Sequence, residues 1–369
     1  MNILLLFSQP WRVGGAETHT EALIKGLAGD RIWLAVNEGS DEDRLLALQQ
    51  KFPQLTILKI QARGINFFRW KTDLKRLERL LQRHQIEAVF AQQRTAGIWA
   101  WLLKRRTAVP FTVTMHDSWH RAKGKEFYPR IFPKMLAVSE NLAMILRRDF
   151  GFLEEQIRVI DNGIDFSAFQ PAEKEAARNA LAINLPGQLL LHVSRFSRVK
   201  GAVALRLIEA MDLVVEHMPQ MHLVVIGEGP LQGEIIKKAE AFNARCGRAV
   251  IEVRGFTDAI VTWYQAADLL IGEGRVAIET LACERPVVAI RNEETFVGAI
   301  RRENIAYACD VNFDGRDYPA TRENLAAEIL TAAAVTPAEC QEIAHYIRNR
   351  LSLELMAKDY RQAVAEQKK

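Results

Sequence analysis

Two stretches of this 369-residue chain place cations, carboxylates and glycines at spacings suited to phosphates and sugar hydroxyls. The first is Ser194-Arg195-Phe196-Ser197-Arg198-Val199-Lys200-Gly201, which follows an apolar run and opens a helical one. Arg195 and Lys200 stand across a loop from each other and can grip both phosphates of a diphosphate. Arginine does so as a planar fork and lysine as a point charge. The same cations would neutralise charge on a departing nucleoside diphosphate. Arg198 suits a solvated loop position. The second stretch runs from Gly274 through Arg275, Val276 and Glu279 to Cys283. Gly274 starts a helix whose N-terminal N–H groups can face a phosphate. Glu279 lies about one turn in and can accept two hydrogen bonds from a ribose diol. Its neighbours Val276, Ala277, Ile278, Leu281 and Ala282 mark the helix as largely buried, and a buried glutamate needs a partner.

Three further segments fall at strand ends. Gly14-Gly15-Ala16-Glu17-Thr18-His19 puts two glycines before a helix, which lets a ligand reach the backbone; a plain tight turn is the alternative. The segment is not G-x-G-x-x-G, so no dinucleotide fingerprint is present. Thr114-Met115-His116-Asp117 ends an apolar strand, where His116 can bond a sugar hydroxyl when neutral or a phosphate when charged. Trp119 and His120 read as loop packing. Gly227-Glu228-Gly229-Pro230 follows another strand, and Gly227 would allow close approach by a flat base.

These segments need a scaffold that brings strand ends together. Strand-like runs at 2–8, 32–36, 55–60, 88–91, 111–115 and 134–138 alternate with helical ones, beginning with a helix over 17–27. The pattern restarts with strands at 189–193, 222–226, 250–254, 269–271 and 286–290, and a helix over 201–217. Such alternation predicts an α/β fold of two Rossmann-like domains, each a parallel sheet covered by helices on both faces. Open parallel sheets bind ligands beyond the carboxyl ends of their strands, where the segments above fall. The expected N-terminal domain covers 1–165, the second covers 166–352, and a C-terminal helix over 353–369 crosses back onto the first with Met356 and Tyr360 as anchors. The link is expected between Asp165 and Gly187.

Composition agrees with a globular chain, at 49% hydrophobic and 25% charged residues. No apolar run approaches the ~18 residues of a membrane span. Residues 1–7 lack a basic leader and a cleavage site, and so read as a first strand rather than a signal peptide. Cys246, Cys283, Cys309 and Cys340 have no metal-ligand spacing and read as reduced thiols of a cytoplasmic protein. The net charge of +4 divides unevenly, with +7 over residues 1–165 and −3 over the remainder. The first half thus suits an anionic acceptor or membrane surface.

The ordered set of segments resembles the retaining glycosyltransferases of family 4, of the GT-B fold with a cleft between two Rossmann-like domains. The resemblance spans nearly the whole chain. Besides the segments quoted, it rests on Val138-Ser139-Glu140, Asp161-Asn162-Gly163-Ile164-Asp165, Gly255-Phe256, Ala266-Ala267-Asp268 and Pro286-Val287-Val288. It implies transfer of a sugar from a nucleotide sugar, with UDP-sugars favoured, to a glycan, lipid-linked or cell-surface acceptor. Arg195 and Lys200 would hold the diphosphate and Glu279 the ribose. His116 would sit beside the transferred sugar. Gly14 and Gly15 would lie near donor phosphates or acceptor, and Gly227 and Phe256 would flank the base.

One departure stands out. The family often carries a carboxylate eight positions before the ribose-binding one; here that position is Ile271, with Glu273 two residues on. Either Glu273 substitutes from a shifted loop, or backbone N–H groups at Gly274, Arg275 and Val276 hold the sugar. A non-catalytic GT-B binding protein and a sugar-nucleotide epimerase of related fold are the alternative readings.

The sequence calls for no metal or other cofactor; Asp41-Glu42-Asp43 reads as a solvated polar loop. Phe67, Trp70, Leu74, Leu77 and Leu81 recur at helical spacing, with Arg69, Lys71, Lys75, Arg76, Arg79 and Arg83 between them. Such a helix packs its stripe on the sheet or rests peripherally on the anionic inner face of a membrane, with Arg121, Lys123 and Lys125 adding charge. The basic residues lack interleaved aromatics on a recognised module, which argues against nucleic acid as a partner.

Overall fold

The computed structural model describes residues 1–12, 14–63, 67–119, 124–184, 186–316 and 318–368. His120, Arg121 and Lys123 lie outside the described residues, as does the side chain of Phe67. The chain forms two compact units, one of Met1–Gly163 with Leu353–Lys369 and one of Ile164–Ser352.

The first unit is built on seven strands: β1 (Asn2–Phe7), β2 (Arg31–Asn37), β3 (Thr56–Ile60), β4 (Ala88–Ala91), β5 (Phe111–Met115), β6 (Met135–Ala137) and β7 (Ile157–Val159). They lie in the order β3-β2-β1-β4-β5-β6-β7, and every pairing is parallel. The connecting helices are α1 (Gly15–Gly26), α2 (Glu42–Lys51), α3 (Phe67–Arg83), α4 (Arg94–Thr107), α5 (Tyr128–Ile131) and α6 (Glu140–Ile145). Side chains alternate across a strand, so an all-apolar strand feeds two cores. In β1, Leu4 and Leu6 enter one buried cluster, while Ile3, Leu5 and Phe7 enter the other.

The second unit repeats the plan with β8 (Gln188–Val193), β9 (Met221–Ile226), β10 (Ile251–Arg254), β11 (Leu269–Gly272), β12 (Val287–Ile290), β13 (Thr295–Ala299) and β14 (Tyr318–Pro319). Their order is β10-β9-β8-β11-β12-β13-β14. The helices are α7 (Lys174–Ala180), α8 (Lys200–His217), α9 (Gln232–Cys246), α10 (Ile260–Ala266), α11 (Gly274–Ala282), α12 (Ile305–Asp310), α13 (Arg322–Ala333) and α14 (Pro337–Arg350). Two strands depart from the all-parallel expectation, since β13 runs antiparallel to β12 and β14 antiparallel to β13. Helix α15 (Leu353–Ala365) belongs to the first unit.

Local chemistry sets several boundaries. Asp41 does not lie in a free loop: its carboxylate caps α2 by accepting from the Arg44 N–H at 3.2 Å, and Glu42 and Asp43 occupy the first turn. Negative charge there opposes the positive end of the helix dipole, which accounts for three acidic residues in a row without a metal. Helix α1 begins at Gly15, two residues earlier than its apolar pattern suggests. The segment between Asp165 and Gly187 holds α7 and lies in the second unit. Cys283, Cys309 and Cys340 are buried free thiols, and Cys246 is half-buried. Among the described residues, no helix is long and apolar enough to cross a membrane.

The apolar stripe of α3 is spent on the core. Leu74, Leu77 and Leu81 are buried, and the Trp70 ring lies 5.0 Å from that of Trp99. The opposite face leaves Phe68 83% exposed among basic residues. In α15, Leu353, Met356, Ala357, Tyr360, Ala363 and Val364 are buried in the cluster shared with β1. Tyr360 is fully buried and bonded through its hydroxyl. Tyr360→Ala should therefore destabilise the protein by about 3–5 kcal/mol in denaturant unfolding, whereas substitution of exposed Lys358 should change it by less than about 0.5 kcal/mol.

Candidate functional site

In the first unit, polar side chains collect where β1, β4 and β5 end. Ser8 follows β1, Gln92 and Gln93 follow β4, and His116 follows β5. Strands β1 and β4 are neighbours whose following helices lead to opposite sides of the sheet, which opens a crevice at that point. The Gln93 Oε1 accepts from the Ser8 backbone N–H at 2.9 Å and lies 3.3 Å from the Ser8 hydroxyl. The His116 Nε2 lies 3.2 Å from the Gln92 Oε1. An amide oxygen only accepts, so Nε2 carries the hydrogen, and the neutral ring keeps Nδ1 as an acceptor. Burial drives the His116 pKa well below its usual value, helped by the neighbouring His19 ring 4.7 Å away. His116 is therefore neutral at pH 7 and suited to a hydroxyl rather than a phosphate.

His19 is itself fixed by the fold. Its Nδ1 donates to the Asn162 Oδ1 at 2.8 Å, and its Nε2 lies 2.9 Å from the Tyr360 hydroxyl. Tyr360 also meets the Thr114 hydroxyl at 2.7 Å. Helix α15 thus bonds, through Tyr360, two residues next to His116: His19, whose ring packs on it, and Thr114, two residues before it. Gly14 is extended and precedes α1; a Cβ on Gly15 would meet nothing within 4 Å, whereas one on Gly14 would overlap the Glu17 carboxylate, which folds over that glycine.

In the second unit, the loop after β8 carries Ser194, Arg195 and Lys200. The Phe196 side chain is fully buried and anchors the loop, and its N–H donates to the Glu228 carbonyl at 2.8 Å. Arg195 projects outward, with no ion pair or side-chain hydrogen bond among the described residues. Lys200 opens α8, and its ammonium pairs with the Glu273 carboxylate. Gly227 has φ +156, and a Cβ there would overlap the Ser194 carbonyl oxygen. The residue must be glycine for the ends of β8 and β9 to approach. Phe256 is 66% exposed, and its N–H donates to the Glu228 carboxylate at 3.1 Å.

Helix α11 holds the remaining predicted residues. Glu273 is the residue before the helix, Gly274 its first residue, and Arg275 and Val276 lie in its first turn. Glu279 is 9% exposed and finds its required partners within the unit. The Tyr264 hydroxyl donates to it at 3.3 Å, and the Arg275 guanidinium pairs with it at 3.2 Å. Burial pushes the Glu279 carboxyl pKa up, against the opposing pull of Arg275. Ile271 is fully buried in the core of β11, so no carboxylate occupies that position.

Several polar neighbours of these residues were not singled out from the sequence. Arg291, at the end of β12, lies 3.3 Å from Glu273 and 2.8 Å from Asp314, which also binds Arg316 at 3.0 Å. His192, inside β8, bonds the Ile271 carbonyl through Nδ1 at 2.9 Å and the Ser194 hydroxyl through Nε2 at 3.0 Å. Burial is the main cause lowering its pKa to about 4. A histidine inside an apolar strand was the available hint.

Known proteins resemble this chain over both units. The family profile described as Glycosyltransferase Family 4 matches residues 13–168, and that described as Glycosyl transferases group 1 matches residues 173–321. The D-inositol 3-phosphate glycosyltransferase of Streptosporangium roseum is 24% identical over 305 residues, which is 70% of this chain and 68% of that protein. Other relatives of that name match over about half of their own length. Anabaena Alr3699/HepE, solved in complex with UDP, superposes with a TM-score of 0.77 at 18% identity, covering 99% of this chain and 100% of that one. A glycosyltransferase from Rickettsia africae does so with 0.78 at 19% identity, covering 100% and 98%.

Two outcomes follow from this geometry. Gly227→Ala should cost on the order of 1–3 kcal/mol in urea unfolding, since the clash is with backbone. The second concerns pH. Folded His192 stays neutral down to about pH 4, whereas in the unfolded chain it takes up a proton near pH 6.5. The unfolded state then binds more protons, so stability is full above pH 6.5 and falls toward pH 4, by about 3 kcal/mol. His192→Gln should flatten that part of the stability profile.

Proposed function

This chain belongs to the glycosyltransferase family 4 type of GT-B proteins, and on that premise we propose that it transfers a hexosyl group from a UDP-sugar to a glycan or lipid-linked acceptor of the cell envelope, with retention at the anomeric carbon. The second unit takes the donor and the first unit the acceptor. The observation that carries the reading is the grouping of Arg195, Lys200, Gly227 and the α11 N-terminus on strand ends of one sheet, with Glu279 one turn into that helix. Arg195 and Lys200 hold the diphosphate, Glu279 accepts from the ribose hydroxyls, and the base lies against backbone near Gly227 and Phe256. His116 offers its Nδ1 lone pair to a sugar hydroxyl.

In the transfer step, the acceptor oxygen forms its bond to the anomeric carbon as the bond to the β-phosphate oxygen breaks. The departing phosphate oxygen takes the acceptor proton on the same face. The protein's contribution is placement and charge stabilisation: Arg195 and Lys200 meet the charge that grows on the leaving group. The exposed face of α3, with Phe68, Lys71, Lys75 and Arg79, supports peripheral contact with an anionic membrane that presents the acceptor. The buried Ile271 favours one second reading, a GT-B protein that binds nucleotide sugar without transferring it.

The test is a thermal-shift screen against UDP, GDP, ADP and their sugar conjugates. UDP at a hundred times its dissociation constant should stabilise the protein by about 2.7 kcal/mol. Arg195→Ala and Glu279→Ala should each abolish the shift. No shift with any nucleotide would overturn the donor-site reading. A shift without sugar release to any acceptor would favour the binding protein.

A further inference from the structure

Lys200 and Arg291 share one carboxylate. Glu273 sits at the corner between β11 and α11, its side chain 19% exposed, with Lys200 on Oε1 and Arg291 at 3.3 Å from Oε2. The two cations are not equally dependent on it. Arg291 is also held by Asp314, whose side chain is 5% exposed and which in turn binds Arg316. Lys200 has no second ion pair among the described residues. Glu273 therefore fixes the position of Lys200, and Asp314 and Arg316 keep Arg291 in place on its other side.

Resting on the donor-site reading above, we propose that Glu273 is a positioning residue that competes with the nucleotide diphosphate for Lys200 and so speeds release of the product. An ammonium that bonds two anions at ordinary charge-assisted distances holds them within about 6 Å of each other. At that separation, in partly buried surroundings, two negative charges repel appreciably. The repulsion differs between substrate and product. A UDP-sugar carries its phosphate charge on a diester-like group, whereas free UDP has a terminal phosphate bearing up to one further negative charge. Glu273 thus disfavours UDP more than UDP-sugar. It also returns to Lys200 when UDP departs, which leaves the cation paired and in place for the next donor.

The experiment is calorimetric titration of the full chain with UDP and with UDP-glucose, for wild type, Glu273→Gln and Glu273→Ala. The unliganded melting temperature of each variant reports its folding. The neutral variants should bind UDP roughly tenfold more tightly, with a smaller change for UDP-glucose, and product inhibition by UDP should increase in step. A merely structural Glu273 would weaken both ligands together, and that result, or an unchanged UDP affinity, overturns the competition. Wild-type protein that binds neither ligand nor any other nucleotide overturns the donor-site reading itself, a different outcome from bound UDP whose affinity ignores residue 273.

Discussion

Parallel pairing of one central strand with neighbours on both sides governs this molecule. In the first unit β1 pairs with β2 and β4, and in the second β8 pairs with β9 and β11. Parallel strands cannot be joined by tight hairpins, so each must be followed by a crossover. The crossovers leave the central strand and its later neighbour toward opposite sides. At that parting, strand ends lack a covering helix and polar side chains can collect. Ser8 and Gln93 meet at the parting of β1 and β4. Lys200 and Glu273 meet where the chain leaves β8 and β11. The polar groups of both units collect at the same topological place because the sheet allows little else.

Around these places the fold holds its polar groups by burial and bonding. His116 and His192 are kept neutral by burial, each with a ring nitrogen fixed by an oxygen acceptor, the Gln92 amide or the Ile271 carbonyl. Glu279 is held between Tyr264 and Arg275. Such preorganised groups need not be rearranged when a ligand arrives, which is how a static framework contributes to binding and rate. The C-terminal helix takes part as well, since Tyr360 bonds His19 from a chain segment 341 residues away.

Much of this was legible in the sequence, and the failures have physical causes. Apolar runs such as 2–8 and 111–115 read correctly as strands because a parallel strand buried on both faces has few polar residues. The order of glycine, cationic and acidic segments placed Arg195 and Gly227 at strand ends, Lys200 at a helix start and Glu279 about one turn into α11. The Lys200–Glu273–Arg291 ladder was not legible, since its members lie on three separate elements and only folding joins them. Asp41-Glu42-Asp43 was misread because a capping carboxylate and a loop carboxylate have the same side chain; the capped N–H groups decide between them. The antiparallel β13 went unseen because Thr295–Ala299 is short and flanked by charged residues.

We propose that a nucleotide diphosphate lies on the strand ends of the second unit, over the α8 and α11 starts. Amide hydrogen exchange of the full chain with and without saturating UDP decides whether it does. Slower exchange confined to residues 194–201, 227–231, 255–257 and 273–283, with 42–60 unchanged, is the predicted result. Protection elsewhere with none in those four segments would contradict it.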